Sequence, residues 1–149
     1  MTVKRMKKHG GIEGVKERIK VSGTVDVGII DAGSHVDGDL TVASIGFINE
    51  FGQGIIPERS FMRSTIQAEK RKIIILQKKL LKQIVLGAMS QDKALGLIGE
   101  FLSDKIRQKI VKIRSPKNAD STLIAKAPKT NPLINTGQLK NSITYEVNR

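Results

Sequence analysis

Asn49-Glu50-Phe51-Gly52-Gln53-Gly54-Ile55-Ile56-Pro57-Glu58-Arg59-Ser60-Phe61-Met62-Arg63 is the stretch on which the fold turns. Before it lies a segment rich in Gly and Val; after it comes a long run patterned for helices. The stretch holds two of the four Phe, a closely spaced Gly pair and a Pro. Gly52 and Gly54 can take backbone angles closed to other residues and Pro57 fixes its own φ, so a sharp turn is expected, with a helix directly after it. Arg59 and Arg63 then project from the first turn of that helix, with Phe61 and Met62 as anchors. No catalytic apparatus is visible in these residues. They read as a docking or fold-setting corner.

Downstream, Met62 to Leu86 contains no Gly or Pro and sets Met62, Ile66, Ile73, Leu76, Leu80 and Ile84 on a broad apolar stripe. Gly87 is placed to end this helix and Ser90 to cap the next. The second stripe is Ala94, Ile98, Phe101, Leu102, Ile106, Ile110 and Ile113. Short connections set successive helices side by side, so residues 62 to 113 are expected to form an antiparallel helical hairpin. Ser115-Pro116 stops it.

Upstream, Ile12, Val15 and Ile19 recur at helical spacing. From Val21 the period changes to two, and Val21, Gly23, Val25, Val27 and Ile29 mark one face of a strand. Leu40 to Phe51 fits either a strand or a helix capped by Thr41. Near the C-terminus, Ser121 to Ala127 suggests one or two helical turns, and Thr136 is placed to cap a single turn. Ile143, Tyr145 and Val147 then define a second strand, which is expected to pair with the first because an unpaired strand leaves backbone groups unsatisfied.

At 149 residues the chain suits one domain, read as 12–149 behind a flexible basic arm over 1–11. With 39% hydrophobic but only 3% aromatic residues, its core must be aliphatic, which disfavours a base-stacking reader of single strands. The net charge of +12 favours a phosphate backbone, an anionic membrane or an acidic protein as neighbour. The absence of Cys excludes disulfides, thiolate zinc sites and Cys nucleophiles. No apolar signal-peptide core follows the basic N-terminus, and no apolar run approaches the ~20 residues a membrane helix needs, so no membrane association is expected.

His35, Asp37 and Asp39 alternate as metal ligands can, but Asp-Gly-Asp has an ordinary explanation as a turn. Gly52-Gln53-Gly54 lacks the rest of a dinucleotide fingerprint, no phosphate-loop Lys stands in register, and no nucleophile elbow is present. The expectation is therefore a protein that is not an enzyme and uses no metal or cofactor. Lys4, Arg5, Lys7 and Lys8 in the arm, with Lys78, Lys79 and Lys82 on the first long helix, are the candidates for facing DNA. Solvated helical faces explain most such lysines without it. A nonspecific DNA-binding protein is the alternative reading.

Three motifs together resemble those of tailed-phage virion-morphogenesis proteins, the tail-completion or head–tail joining family of neck and minor tail proteins. They are Asn49-Glu50-Phe51-Gly52, then Ile56-Pro57-x-Arg59-x-Phe61-x-Arg63, then Pro132-Leu133-Ile134-x-Thr136-Gly137-x-Leu139-x-x-Ser142-Ile143, in that order and at family-like separations. Ser60 departs from the pattern, since many relatives carry a second Pro there. The resemblance implies an α+β fold, a small antiparallel sheet packed with a long antiparallel helical hairpin and short helices, and it turns Leu40 to Phe51 toward helix. It implies a noncatalytic virion protein at the head–tail junction, present in the host cytoplasm during assembly, that forms a ring of six around the DNA passage. Its partners would be copies of itself, a connector or portal-side adaptor, a tail terminator or tube protein, and genomic DNA passing without sequence readout. Glu50, Phe51, Arg59, Phe61, Arg63 and Thr136 are the residues expected at subunit or partner contacts.

Overall fold

A computed structural model describes residues 10–20, 23–30 and 40–149. Among them the elements run α1 (Gly11–Lys20), β1 (Thr24–Ile29), α2 (Val42–Phe51), α3 (Arg63–Val85), α4 (Gln91–Lys112), α5 (Asp120–Lys126), α6 (Gln138–Asn141) and β2 (Ile143–Asn148). This is the α+β architecture expected, with a two-stranded antiparallel sheet lying on α4. The expected arm and the His35, Asp37 and Asp39 turn lie outside the described residues, except that Gly11 already opens α1.

The helical hairpin follows from its punctuation. α3 unwinds where the Gly87 N–H donates to Ile84 and the Ala88 N–H to Gln83, closing orphan carbonyls of the last turn. The Ser90 side chain then accepts from the Lys93 N–H and starts α4. Leu80 and Ile84 of α3 meet Ala94 and Ile98 of α4 in one apolar cluster, extended by Leu76 and Leu102. α1 lies against α3, and the Arg18 guanidinium donates to the Val85 carbonyl at 2.9 Å. Leu40 to Phe51 resolves as helix from Val42 onward, with the Thr41 hydroxyl accepting from the Ser44 N–H.

The second cluster joins elements far apart in the chain. Val42, Phe61, Ile106, Ile110, Leu133, Leu139 and Ile143 are all buried together, with Val27 and Ile29 of β1 packed against them. β1 and β2 pair in the register Val25↔Val147, Val27↔Tyr145 and Ile29↔Ile143, so the alternating apolar faces of both strands coincide. Asn131 supports this end of the molecule by donating to the Ile110 and Val111 carbonyls of α4. At α6 the N-cap is Gly137, not Thr136 as expected. The Thr136 hydroxyl sits one residue earlier and still accepts from the Gln138 N–H at 3.3 Å.

Close approach of β2 to α4 depends on a missing side chain. A Cβ on Gly99 would fall 2.5 Å from the Tyr145 ring, whereas one on Gly96 would meet that residue at an ordinary 3.8 Å. The two substitutions should therefore differ in sign. Gly99→Ala is expected to destabilise the protein by about 1–3 kcal/mol through overpacking. Gly96→Ala should be neutral or stabilising by up to about 1 kcal/mol through helix propensity. Urea denaturation of both variants checks this contrast.

Candidate functional site

The corner between α2 and α3 is built from two interlocked halves. α3 starts with Met62 as its N-cap residue, and Met62 makes no capping bond with its own side chain. Four N–H groups open any helix without intrahelical partners. Here a carboxylate from another helix takes up two of them, and the Ser60 hydroxyl accepts from a third, the Ser64 N–H, at 3.3 Å. Glu50, in the last turn of α2 and only 3% exposed, accepts from the backbone N–H groups of Phe61 at 2.7 Å, Met62 at 2.8 Å and Arg63 at 2.9 Å. The Ser60 hydroxyl donates to the same carboxylate at 2.8 Å, and the Arg63 Nε at 3.2 Å. The positive end of the α3 dipole and the Arg63 charge both favour the ionised form.

Asn49 and Arg59 form the other half. The Arg59 N–H donates to the Asn49 carbonyl at 2.7 Å, and the Arg59 guanidinium donates to the Asn49 side-chain oxygen at 3.1 Å. The same guanidinium donates to the Pro116 and Lys117 carbonyls at 2.7 and 2.9 Å, fastening the corner to the segment after α4. Between the halves the chain reverses through reciprocal bonds between Gln53 and Ile56. Gly52 makes this possible at φ +75°, since a Cβ there would lie 2.9 Å from the Glu58 nitrogen.

Burial divides the residues expected at partner contacts into two groups. Glu50, Arg59 and Phe61 are buried, and the described fold uses all three inside the chain. Phe51 and Arg63 are half-exposed and Thr136 is exposed. The Arg63 guanidinium lies 4.3 Å from the Phe51 ring centre and also bonds Glu58. The Phe51 ring stacks at 4.8 Å on Phe47. Phe47 and Phe51 on α2 and Ile55 and Ile56 in the turn are all exposed apolar side chains, Ile55 being 99% exposed. From sequence, Phe47 and Phe51 share one face of the helical reading of this segment, but only Phe51 was expected at a contact.

Of the candidate DNA-facing residues, Lys78, Lys79 and Lys82 are exposed on α3, while Lys4, Arg5, Lys7 and Lys8 lie outside the described residues. Among the described residues no group of three or more His, Asp or Glu could hold a metal ion, and no helix is long and apolar enough to cross a membrane. Comparison with family models, curated proteins and solved structures finds no match for this chain.

Two effects oppose each other at Glu50. Burial is the larger single influence and raises its pKa, but the bonds from Met62, Arg63, Ser60 and Phe61 together bring it below the ordinary 4.5. A folded value below the unfolded one contributes stability that is complete above about pH 4.5 and lost as the pH falls through the folded value. Glu50→Gln, which places an amide against convergent donors, should cost about 3 kcal/mol or more. Urea titrations between pH 7 and 3 should show the acid-side loss in the natural protein, and a smaller loss in the variant.

Proposed function

We propose that the chain is a noncatalytic structural protein of a tailed phage. In this reading it completes the tail or joins tail to head as a ring-forming neck component around the DNA passage, with six copies in the ring. Its neighbours are other copies, a connector or portal-side adaptor, and a tail terminator or tube protein, and its place is the virion. The observation that carries the reading is the solvent exposure of the Phe47–Phe51 ring pair and of Ile55 and Ile56 in the turn that follows. These side chains lie in or beside two of the three motifs that resemble the family. Exposed large apolar side chains grouped in one segment are a feature of interaction sites, and aromatic residues and Arg are the side chains enriched there. α3 adds Ile66, Ile74, Ile75 and Leu81, all at least 41% exposed, as further surface for neighbouring subunits.

Sedimentation and negative-stain imaging of the full chain test the ring directly, with closed rings of about six copies around a central opening as the expected result. Ile55→Ser, at a side chain 99% exposed, should weaken assembly at least ~10-fold, a loss of about 1.4 kcal/mol or more, while leaving monomer unfolding unchanged. A protein that stays monomeric at high concentration and never joins connector or tail proteins overturns the reading.

Nonspecific DNA binding is a second reading, favoured by one observation. α3 carries a single acid, Glu69, and this pairs with Lys72, while Lys70, Arg71, Lys78, Lys79 and Lys82 are exposed. If this face meets phosphates, duplex affinity should fall steeply with salt. Replacing Lys78, Lys79 and Lys82 by Gln should then lower the log–log salt slope by about 3. A slope unchanged by the triple substitution removes the second reading.

A further inference from the structure

The recess beside the corner carries positive charge that nothing in the described fold neutralises. About 460 Å³ in volume, it lies between the Gln53–Ile56 turn, α5 and the segment before α6. Arg59 and Lys126 line it, and no acidic residue does. Arg59 is 4% exposed, yet its bonds go to two backbone carbonyls and an amide oxygen, which are dipoles without net charge. Three of the guanidinium's five N–H donors are taken in this way, and its ion is left without a carboxylate among the described residues. Glu50 and Glu58, close in sequence, pair instead with Arg63.

Lys126 adds a second cation, half-buried, with its ammonium donating to the Asn131 carbonyl at 2.9 Å. Its pKa is lowered first by burial and then by the charges of Arg59 and Lys129, in keeping with cations gathered without a counterion. Buried charge is ordinarily paired, and a guanidinium is built to hold a carboxylate in two parallel bonds. Asn118, Asn135 and Thr122 add polar groups to the same walls, while Ile55, Pro57 and Ala125 make the rest apolar.

We propose that this recess binds an acidic peptide segment of a partner protein. A Glu or Asp side chain of the segment enters toward Arg59 and Lys126, and its apolar neighbours lie on Ile55 and Pro57. The shape decides against nucleic acid. Duplex phosphates stand on a convex ridge and need a row of outward cations, whereas these two cations sit inside a recess whose rim is the exposed Ile55. Charge makes a second copy of this chain a poor occupant of the recess itself, whatever contacts copies make elsewhere. The protein carries +12, and among the described residues seven of 11 acidic side chains are already held in ion pairs. The partner is therefore an acidic protein other than itself. The site stands on this geometry whether or not the chain forms a ring.

Amide-resolved NMR titration of the full chain tests the site. The probes are an acetylated, amidated peptide alternating leucine with glutamate, its glutamine counterpart, inorganic phosphate and a short DNA duplex. The glutamate peptide should shift Asn118, Thr122, Ala125 and Asn135, and should bind at least ~10-fold more tightly than the glutamine peptide. Lys126→Gln and Asn135→Asp, at positions outside both apolar clusters, should each weaken it ~5-fold or more while the amides of both apolar clusters keep their shifts. Equal binding of the two peptides, no shift at these residues, or affinity untouched by either substitution overturns the proposal. Stronger response of the same residues to phosphate or to the duplex overturns it as well, and reassigns the recess to phosphate.

Discussion

A single buried carboxylate holds the two halves of this protein in register. The first turn of α3 presents N–H groups that its own N-cap side chain leaves open, and Glu50 of α2 reaches across to take those of Met62 and Arg63, together with the Phe61 N–H just before them. A capping bond is usually local, between residues two or three apart. Here the donors lie 11 to 13 residues from the acceptor, so the cap also fixes how α2 meets α3. Phe61, fully buried, sits at the capped end and drives into the cluster that α4, α6 and β2 complete. Without the carboxylate, the donors that surround Phe61 lose their shared acceptor at the point where the largest core side chain enters.

Arg59 is the mirror image of Glu50. Both ions are buried within ten residues of each other in sequence, yet they are not partners. Glu50 is satisfied by backbone N–H groups and by Arg63; Arg59 is satisfied by backbone carbonyls and by Asn49. Backbone dipoles can stabilise either sign, but only the carboxylate also has an opposite charge beside it. The corner thus ends with its negative charge compensated and its positive charge open toward a recess. Beside it, the apolar side chains of α2 and the turn remain in solvent.

The three sequence motifs acquire a physical meaning from this arrangement. Asn49 answers Arg59, Glu50 answers the chain from Ser60 to Arg63, and Phe51 lies under the Arg63 guanidinium. The third motif contributes Leu133, Leu139 and Ile143 to the cluster that buries Phe61. Most of these residues serve the fold itself, while Phe47, Ile55 and apolar residues of α3 such as Ile75 stay exposed. Phe51 and Arg63 lie half within the corner and half in solvent.

Local chemistry determined much of this protein. The hairpin of α3 and α4, its end at Gly87, the Ser90 cap, both strands and their pairing follow from periodicity and from residues that act within one turn of themselves. Leu40 to Phe51 was undecidable by pattern because its apolar residues fit periods of two and of 3.6 alike. Contact of Val42 with the main cluster and the bonds made by Glu50 select the helix. The cap at α6 shifted by one residue because Gly137 can take the left-handed conformation at φ +89° that the turn requires. Only tertiary structure decided that Glu50 and Arg59 are buried, that Gly99 makes room for Tyr145, and that a cationic recess opens beside the corner. Each depends on atoms brought together from distant parts of the chain, and charge or spacing along a sequence carries no record of that distance.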